Sequence, residues 1–186
     1  VPALLQAVRA GNLSVANALG SGVLEHPGLM AYLPALCQGL MGEELLLADI
    51  PTWWCGTSEG LERALADLDA LVIKQPDTGN GARVFFPAEM DAAQRAALAE
   101  QMRADPRRFV AQEHINPSTA PALIAGHIEP RPTILRSFLV AQDDGYAVMP
   151  GGLSRVSSPS SATRGRATLG ELGKDTWVLA SEPELR

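Results

Sequence analysis

The stretch Leu71-Val72-Ile73-Lys74-Gln75-Pro76-Asp77-Thr78-Gly79-Asn80-Gly81-Ala82-Arg83-Val84-Phe85-Phe86 constrains the fold more than any other part of the chain. Leu71 to Ile73 have the apolar, β-branched character of a buried strand, and Lys74 stands at its end. Asp77 to Ala82 contain Gly79 and Gly81 with an Asn and an Asp, so the backbone can turn sharply and adopt positive φ. Val84 to Phe86 then return as the second strand of a hairpin. Two uses of Lys74 are open. In an ordinary hairpin it points into water, and short Gly-rich turns are common. Beside backbone amides freed from side-chain crowding, it is instead the fixed cation of a polyphosphate site.

A second stretch bears on that choice. Phe109-Val110-Ala111-Gln112-Glu113-His114-Ile115 is an apolar run interrupted by Gln-Glu and followed by Asn116-Pro117. A strand that turns abruptly polar offers main-chain donors and acceptors plus a carboxylate at one edge, the partners that an adenine edge and a ribose need. The order strand–Lys, Gly-rich loop, strand, helix, strand–Gln-Glu resembles the nucleotide cleft of the ATP-grasp ligases.

Further pieces narrow the resemblance. Val15 to Gly22 (VANALGSG), Pro51 to Gly56 (PTWWCG), Val110 to Glu113, Met149 to Val156 (MPGGLSRV) and Lys174 to Leu179 (KDTWVL) occur in this order. Together they resemble the circularly permuted ATP-grasp proteins, a bacterial family akin to the ATP-grasp half of glutathionylspermidine synthase. The resemblance runs over nearly the whole chain. It implies an α+β, ATP-grasp-like fold in which a lid subdomain and a second α/β lobe hold a nucleotide cleft between them. It also implies ATP and Mg²⁺ as cofactors. The activity implied is a carboxylate–amine ligation in which ATP converts a carboxylate into an acyl phosphate and an amine displaces the phosphate. By position, Lys74 would meet the phosphates, with Gly79 and Gly81 in the lid loop. Gln112 and Glu113 would meet the adenine and ribose, and Arg136 and Arg155 the transferred phosphoryl group. Lys174 is a weaker phosphate contact. The carboxylate and the amine are not identified by any residue.

Composition bounds these readings. The chain has 186 residues, 46% of them hydrophobic, which describes one globular domain or two small lobes. A net charge of −6 and a pI of about 5.0 argue against a general nucleic-acid binder. Between Ile128 and Leu169, however, arginines outnumber acids, leaving solvated surface arginines or the wall of an anion site as alternatives. Cys37 and Cys55 have no metal-like spacing and read as packing residues of a reducing compartment. No apolar run reaches the length of a membrane span and no signal peptide is recognised, so the expected location is cytoplasmic. Val1 is not an initiator methionine, and the chain is expected to be part of a longer polypeptide. Neither a P-loop nor a G-x-S-x-G motif occurs, and His26, His114 and His127 lack zinc spacing.

The expected organisation has three segments: 1–70, an N-terminal α/β lobe segment; 71–115, the lid and hinge strand; and 116–186, a β-rich segment with a mobile Ser-rich loop. Leu4, Leu5 and Val8 mark a first helix. Leu13 to Ala18 read as a short buried strand leading to Gly20-Ser21-Gly22. There Asn17, Ser21 and Gly22 could line the cleft or simply form a strand–loop junction. Pro27 opens a helix to Met41 whose Leu29, Leu33, Leu36 and Leu40 form a core face. Ile50 to Cys55 is a strand, and Thr57 or Ser58 caps a helix with a Leu61, Leu65, Leu68 stripe and an outer Glu59–Arg63 pair. Asp91 and Gln94 begin a helix that ends at Asp105-Pro106. Thr133 to Ala141 is a strand carrying Arg136, and Asp143-Asp144-Gly145 is a hairpin turn.

Two departures from the family pattern stand out. The loop after Lys74 has fewer glycines than family members usually carry, and the acidic Mg²⁺ ligands are expected ahead of Val1. The chain alone is therefore expected to bind nucleotide poorly and to catalyse nothing. A non-catalytic ATP-grasp-like binding or scaffold domain, or a plain α/β interaction domain, is the competing reading. From the residues, Lys74 is expected to face the same cleft as Glu113, and Arg136 and Arg155 to converge onto that cleft from adjacent strands.

Overall fold

Hydrophobic periodicity and turn chemistry divide the chain into mixed α/β structure with antiparallel sheets throughout. The computed structural model describes residues 3–76, 82–157 and 172–179, and forms two units, Val1–His114 and Ile115–Arg186.

The first unit is built on a sheet of four strands in the order β1-β4-β2-β3: β1 (Thr52–Trp54), β2 (Leu71–Gln75), β3 (Arg83–Phe85) and β4 (Val110–Glu113). The expected segments 1–70 and 71–115 both contribute strands to it. Side chains alternate between faces along a strand, so the pairing Ile73↔Ala111 puts Leu71, Ile73, Ala111 and Glu113 on one face. Two helices supply the buried partners of that face, α3 (Ser58–Ala66) with Ala64 and α4 (Ala92–Ala104) with Leu98 and Met102. Phe109 and Cys55 complete the core cluster. The pairings Val72↔Gln112 and Lys74↔Val110 set those four side chains on the other face.

Helix ends follow local chemistry. Thr57 is the N-cap of α3, its hydroxyl oxygen accepting from Gly60 N–H at 3.1 Å. Gly60 permits the closest approach in this unit, since a Cβ there would lie 2.2 Å from the Trp54 carbonyl oxygen. Asp91 and Gln94 form the expected capping box of α4. On α3, the Arg63 guanidinium lies 5.3 Å from the centroid of the Trp53 ring, taking the place of the expected pairing with Glu59.

The N-terminal expectations fare unevenly. The first helix forms as α1 (Leu4–Arg9). Leu13 to Ala18 is no strand and is exposed; among the described residues no strand pairs with it to take its backbone groups. The single helix expected from Pro27 to Met41 is two pieces, a 3-10 helix Pro27–Tyr32 and α2 (Leu33–Met41). Pro34 explains the break: it has no N–H to donate and its ring crowds the preceding turn, so it starts a helix and does not lie inside one. The expected leucine core face fails with it, as Leu40 is 81% exposed.

The second unit has a sheet in the order β10-β9-β6-β5, from β5 (Thr119–Ile124), β6 (His127–Arg136), β9 (Leu153–Val156) and β10 (Leu172–Lys174). Prolines opposite one another at Pro121↔Pro130 cost nothing, because such a pair exchanges no ladder hydrogen bonds. The single strand expected over Thr133 to Ala141 is split. β6 ends at Arg136 beside β9, and β7 (Leu139–Gln142) pairs separately with β8 (Gly145–Val148) across Asp143-Asp144.

Candidate functional site around Lys74

Lys74 stands next to the last residue of β2, half-buried, with β3 and β4 on either side. Its Nζ donates to Gln112 Oε1 at 2.6 Å. Among the described residues no carboxylate pairs with it. Burial lowers its pKa below the usual lysine value of 10.5, since a desolvated ammonium gives up its proton more readily. Lys74 borders a cavity of about 390 Å³ whose lining also includes Gly22, Glu25, His26, Pro76 and Arg83, two cations against one carboxylate among the described residues. Half-buried and with one neutral acceptor as its partner among the described residues, the ammonium retains donors for an anion.

Gln112 is 7% exposed, and all its polar atoms are engaged. Its Nε2 donates to Thr52 Oγ1 at 2.9 Å and to Met30 Sδ at 3.6 Å, while Oε1 accepts from Lys74. The expectation for Glu113 is corrected. Register places Glu113 opposite Leu71, on the helix-covered face, while Lys74 and Gln112 share the other. Adjacent residues of a strand point to opposite faces, so Gln112 and Glu113 cannot both face Lys74. The main-chain N–H of Glu113 is also committed, donating to Pro51 O at 2.9 Å. Gly79 and Gly81 lie outside the described residues. Thr52 and Met30 are site residues that the sequence did not single out. Period-2 alternation could have found Thr52 only with the β1–β4 register in hand.

Arg136, Arg155 and Lys174 belong to the second unit. The pairings Arg136↔Leu153 and Ile134↔Arg155 place the two arginines on one face of adjacent strands, as diagonal neighbours. Lys174 is opposite Ser154 and hence on the other face. Its Nζ donates to Pro121 O at 2.6 Å, tying β10 to β5. Among the described residues no three His, Cys, Asp or Glu side chains gather at a metal-like spacing. No helix among them is long and apolar enough to cross a membrane.

Mixed α/β structure with antiparallel sheets is consistent with the family whose model matches residues 1–157. The chain belongs to the circularly permuted ATP-grasp type 2 family. It is 41% identical over 177 residues to a Frankia alni protein named "Putative glutamate--cysteine ligase 2-3", covering 95% of this chain and 20% of that protein. It is 35% identical to an uncharacterised Synechocystis protein, covering 96% of this chain and 37% of the relative. With a Mycobacterium tuberculosis protein, also uncharacterised, it shares 34% identity over 97% of this chain and 33% of the relative. The chain thus spans between a fifth and little more than a third of the length of these relatives.

Proposed function

We propose that the chain is the ATP-binding portion of an ATP-dependent carboxylate–amine ligase acting through an acyl phosphate. The carrying observation is Lys74, a half-buried ammonium held by a neutral amide, without a carboxylate partner among the described residues. Such a cation suits a phosphate oxygen, because a fixed positive charge in a water-poor site stabilises negative charge strongly. Family membership supports the nucleotide, and the name of the Frankia alni relative supports ligation. Lys74 would hold the phosphates, with Gly79 and Gly81 covering them. Arg136 and Arg155 would offset charge on the transferred phosphoryl group, with Lys174 left to its structural tie. ATP, with Mg²⁺, supplies the phosphoryl group that activates the carboxylate. Glu113 lies on the opposite face of the sheet from Lys74, so the two side chains would not share one nucleotide pocket. That favours, as the second reading, a scaffold domain that keeps the fold without catalysis.

Calorimetric titration of Mg-ATP into the full-length protein separates the two. Under the ligase reading the protein binds Mg-ATP, and Lys74→Ala lowers the ligation rate on the order of 10²-fold, as loss of one preorganised donor does. Absence of binding to a folded protein would establish the scaffold reading.

A further inference from the structure

Gln112 is the side chain that addresses Lys74, but an amide can present either its oxygen or its nitrogen. The neighbours determine which. Thr52 Oγ1 donates to the Ile50 carbonyl at 2.7 Å, so at that oxygen only lone pairs remain for Gln112. A donor is therefore required of Gln112 on the Thr52 side, and Nε2 supplies it at 2.9 Å. Met30 Sδ, an acceptor only, stands 3.6 Å from the same nitrogen. With both acceptors on one side, the oxygen of the amide is directed at the ammonium 2.6 Å away. The reverse orientation would set an NH₂ group against an NH₃⁺ and leave the buried amide oxygen facing a thioether.

We propose that Thr52 is a positioning residue which, by fixing the Gln112 amide, holds the Lys74 ammonium beside the cavity that Lys74 lines. The chain Ile50 carbonyl, Thr52 hydroxyl, Gln112 amide, Lys74 ammonium crosses three strands or their margins, and every link has a defined donor and acceptor. The amide accepts one N–H of the ammonium and, among the described residues, leaves the others for an anionic ligand. A neutral residue here holds the lysine without neutralising it, as a carboxylate would. The functional consequence rests on the Lys74 phosphate reading, whereas the hydrogen-bond chain does not.

Lys74 and Lys174 are the two lysines within these 186 residues. In full-length protein labelled with ¹³C at lysine Cε, the signals lost in Lys74→Arg and in Lys174→Arg assign their titrations. In Thr52→Val, which keeps the β-branched shape, Lys74 is expected to titrate below its wild-type value, since the freed amide no longer presents a fixed acceptor. Thr52→Ser should restore the wild-type value, with Lys174 unmoved throughout. An unchanged Lys74 titration in folded Thr52→Val, or failure of Thr52→Ser to restore it, overturns the proposal. Should Thr52→Val not fold, Gln112→Glu is the second variant. A carboxylate there should raise the Lys74 titration, and no movement would also overturn the proposal. Mg-ATP titrations of the full-length protein then address function, with roughly five- to tenfold weaker binding expected for Thr52→Val, recovered by Thr52→Ser. If the lysine titrations behave as stated and the wild type binds no Mg-ATP, the positioning chain stands and the nucleotide reading falls. If the wild type binds and Thr52→Val binds equally well, the functional role of Thr52 falls.

Discussion

Lys74 and Cys55 show how one sheet perturbs two residues in opposite senses as pH rises. The folded chain releases the Lys74 proton at a lower pH than the unfolded chain, whose lysine titrates at 10.5. Just below 10.5 the unfolded state therefore holds the extra proton, and this group makes stability rise with pH there. Cys55 is the reverse case: burial pushes its thiol from 9.0 up to about 11, opposed by a smaller effect of its hydrogen bond with the Ala111 backbone. Between those values the folded state keeps a proton that the unfolded state has lost, so stability falls as pH rises through the window. Urea midpoints measured across the alkaline range should separate the two. Lys74→Met should abolish the rising contribution and Cys55→Ala the falling one, and identical curves for wild type and variants would contradict both assignments. Burial also shields the thiol. Native protein treated with a thiol reagent near neutral pH should be modified at the half-buried Cys37 and not at Cys55.

At the level of elements, two turns of chain carry identifiable costs. Ala125 and Gly126 join β5 to β6 with φ values of 49° and 85°, a two-residue hairpin loop whose first position is left-handed. Alanine pays for that conformation with a clash between its Cβ and the backbone, about 1 kcal/mol. Ala125→Asn or Ala125→Gly should therefore raise stability by roughly 0.5–1 kcal/mol, measured by chemical denaturation. Gly60 is the opposite case, where no side chain fits. Gly60→Ala would drive a Cβ into the Trp54 carbonyl, so α3 must shift off β1. A loss of roughly 2 kcal/mol or more is expected, on the scale of overpacking against backbone. A neutral result would mean that α3 is free to move.

Across the molecule, the two units differ in how much they bury. The first has a packed cluster running from Cys55 to Ala111, and Phe109→Ala there should cost on the order of 3–5 kcal/mol. The second buries only a few described residues, among them Ala122, Ser154, Val156 and Ser157. In the β7–β8 hairpin Leu139, Val140, Tyr146 and Val148 are 58–73% exposed. A two-stranded hairpin without a covered face is marginal in water. Amide exchange should accordingly be slow in β2 and β4 and fast in β7 and β8, and equal protection would refute this ranking.

Much of the fold was legible in local chemistry. The Asp91–Gln94 capping box, the Thr57 cap, the β2 and β4 strands and the Asp143-Asp144 turn each depend on residues near one another in sequence. The leucines of Pro27 to Met41 misled because periodicity records which residues could share a face and not whether anything covers it. Leu13 to Ala18 failed for a related reason: a strand needs a partner, and its own sequence supplies none. At the site, the sequence identified Lys74 and Gln112 as polar breaks at the ends of apolar runs. Register alone decided that Gln112 faces the lysine and Glu113 does not, because a shift of one residue exchanges the faces of a strand. Thr52 entered the site only when β1 paired with β4, a hydrogen-bonded contact across 60 residues that no local pattern encodes.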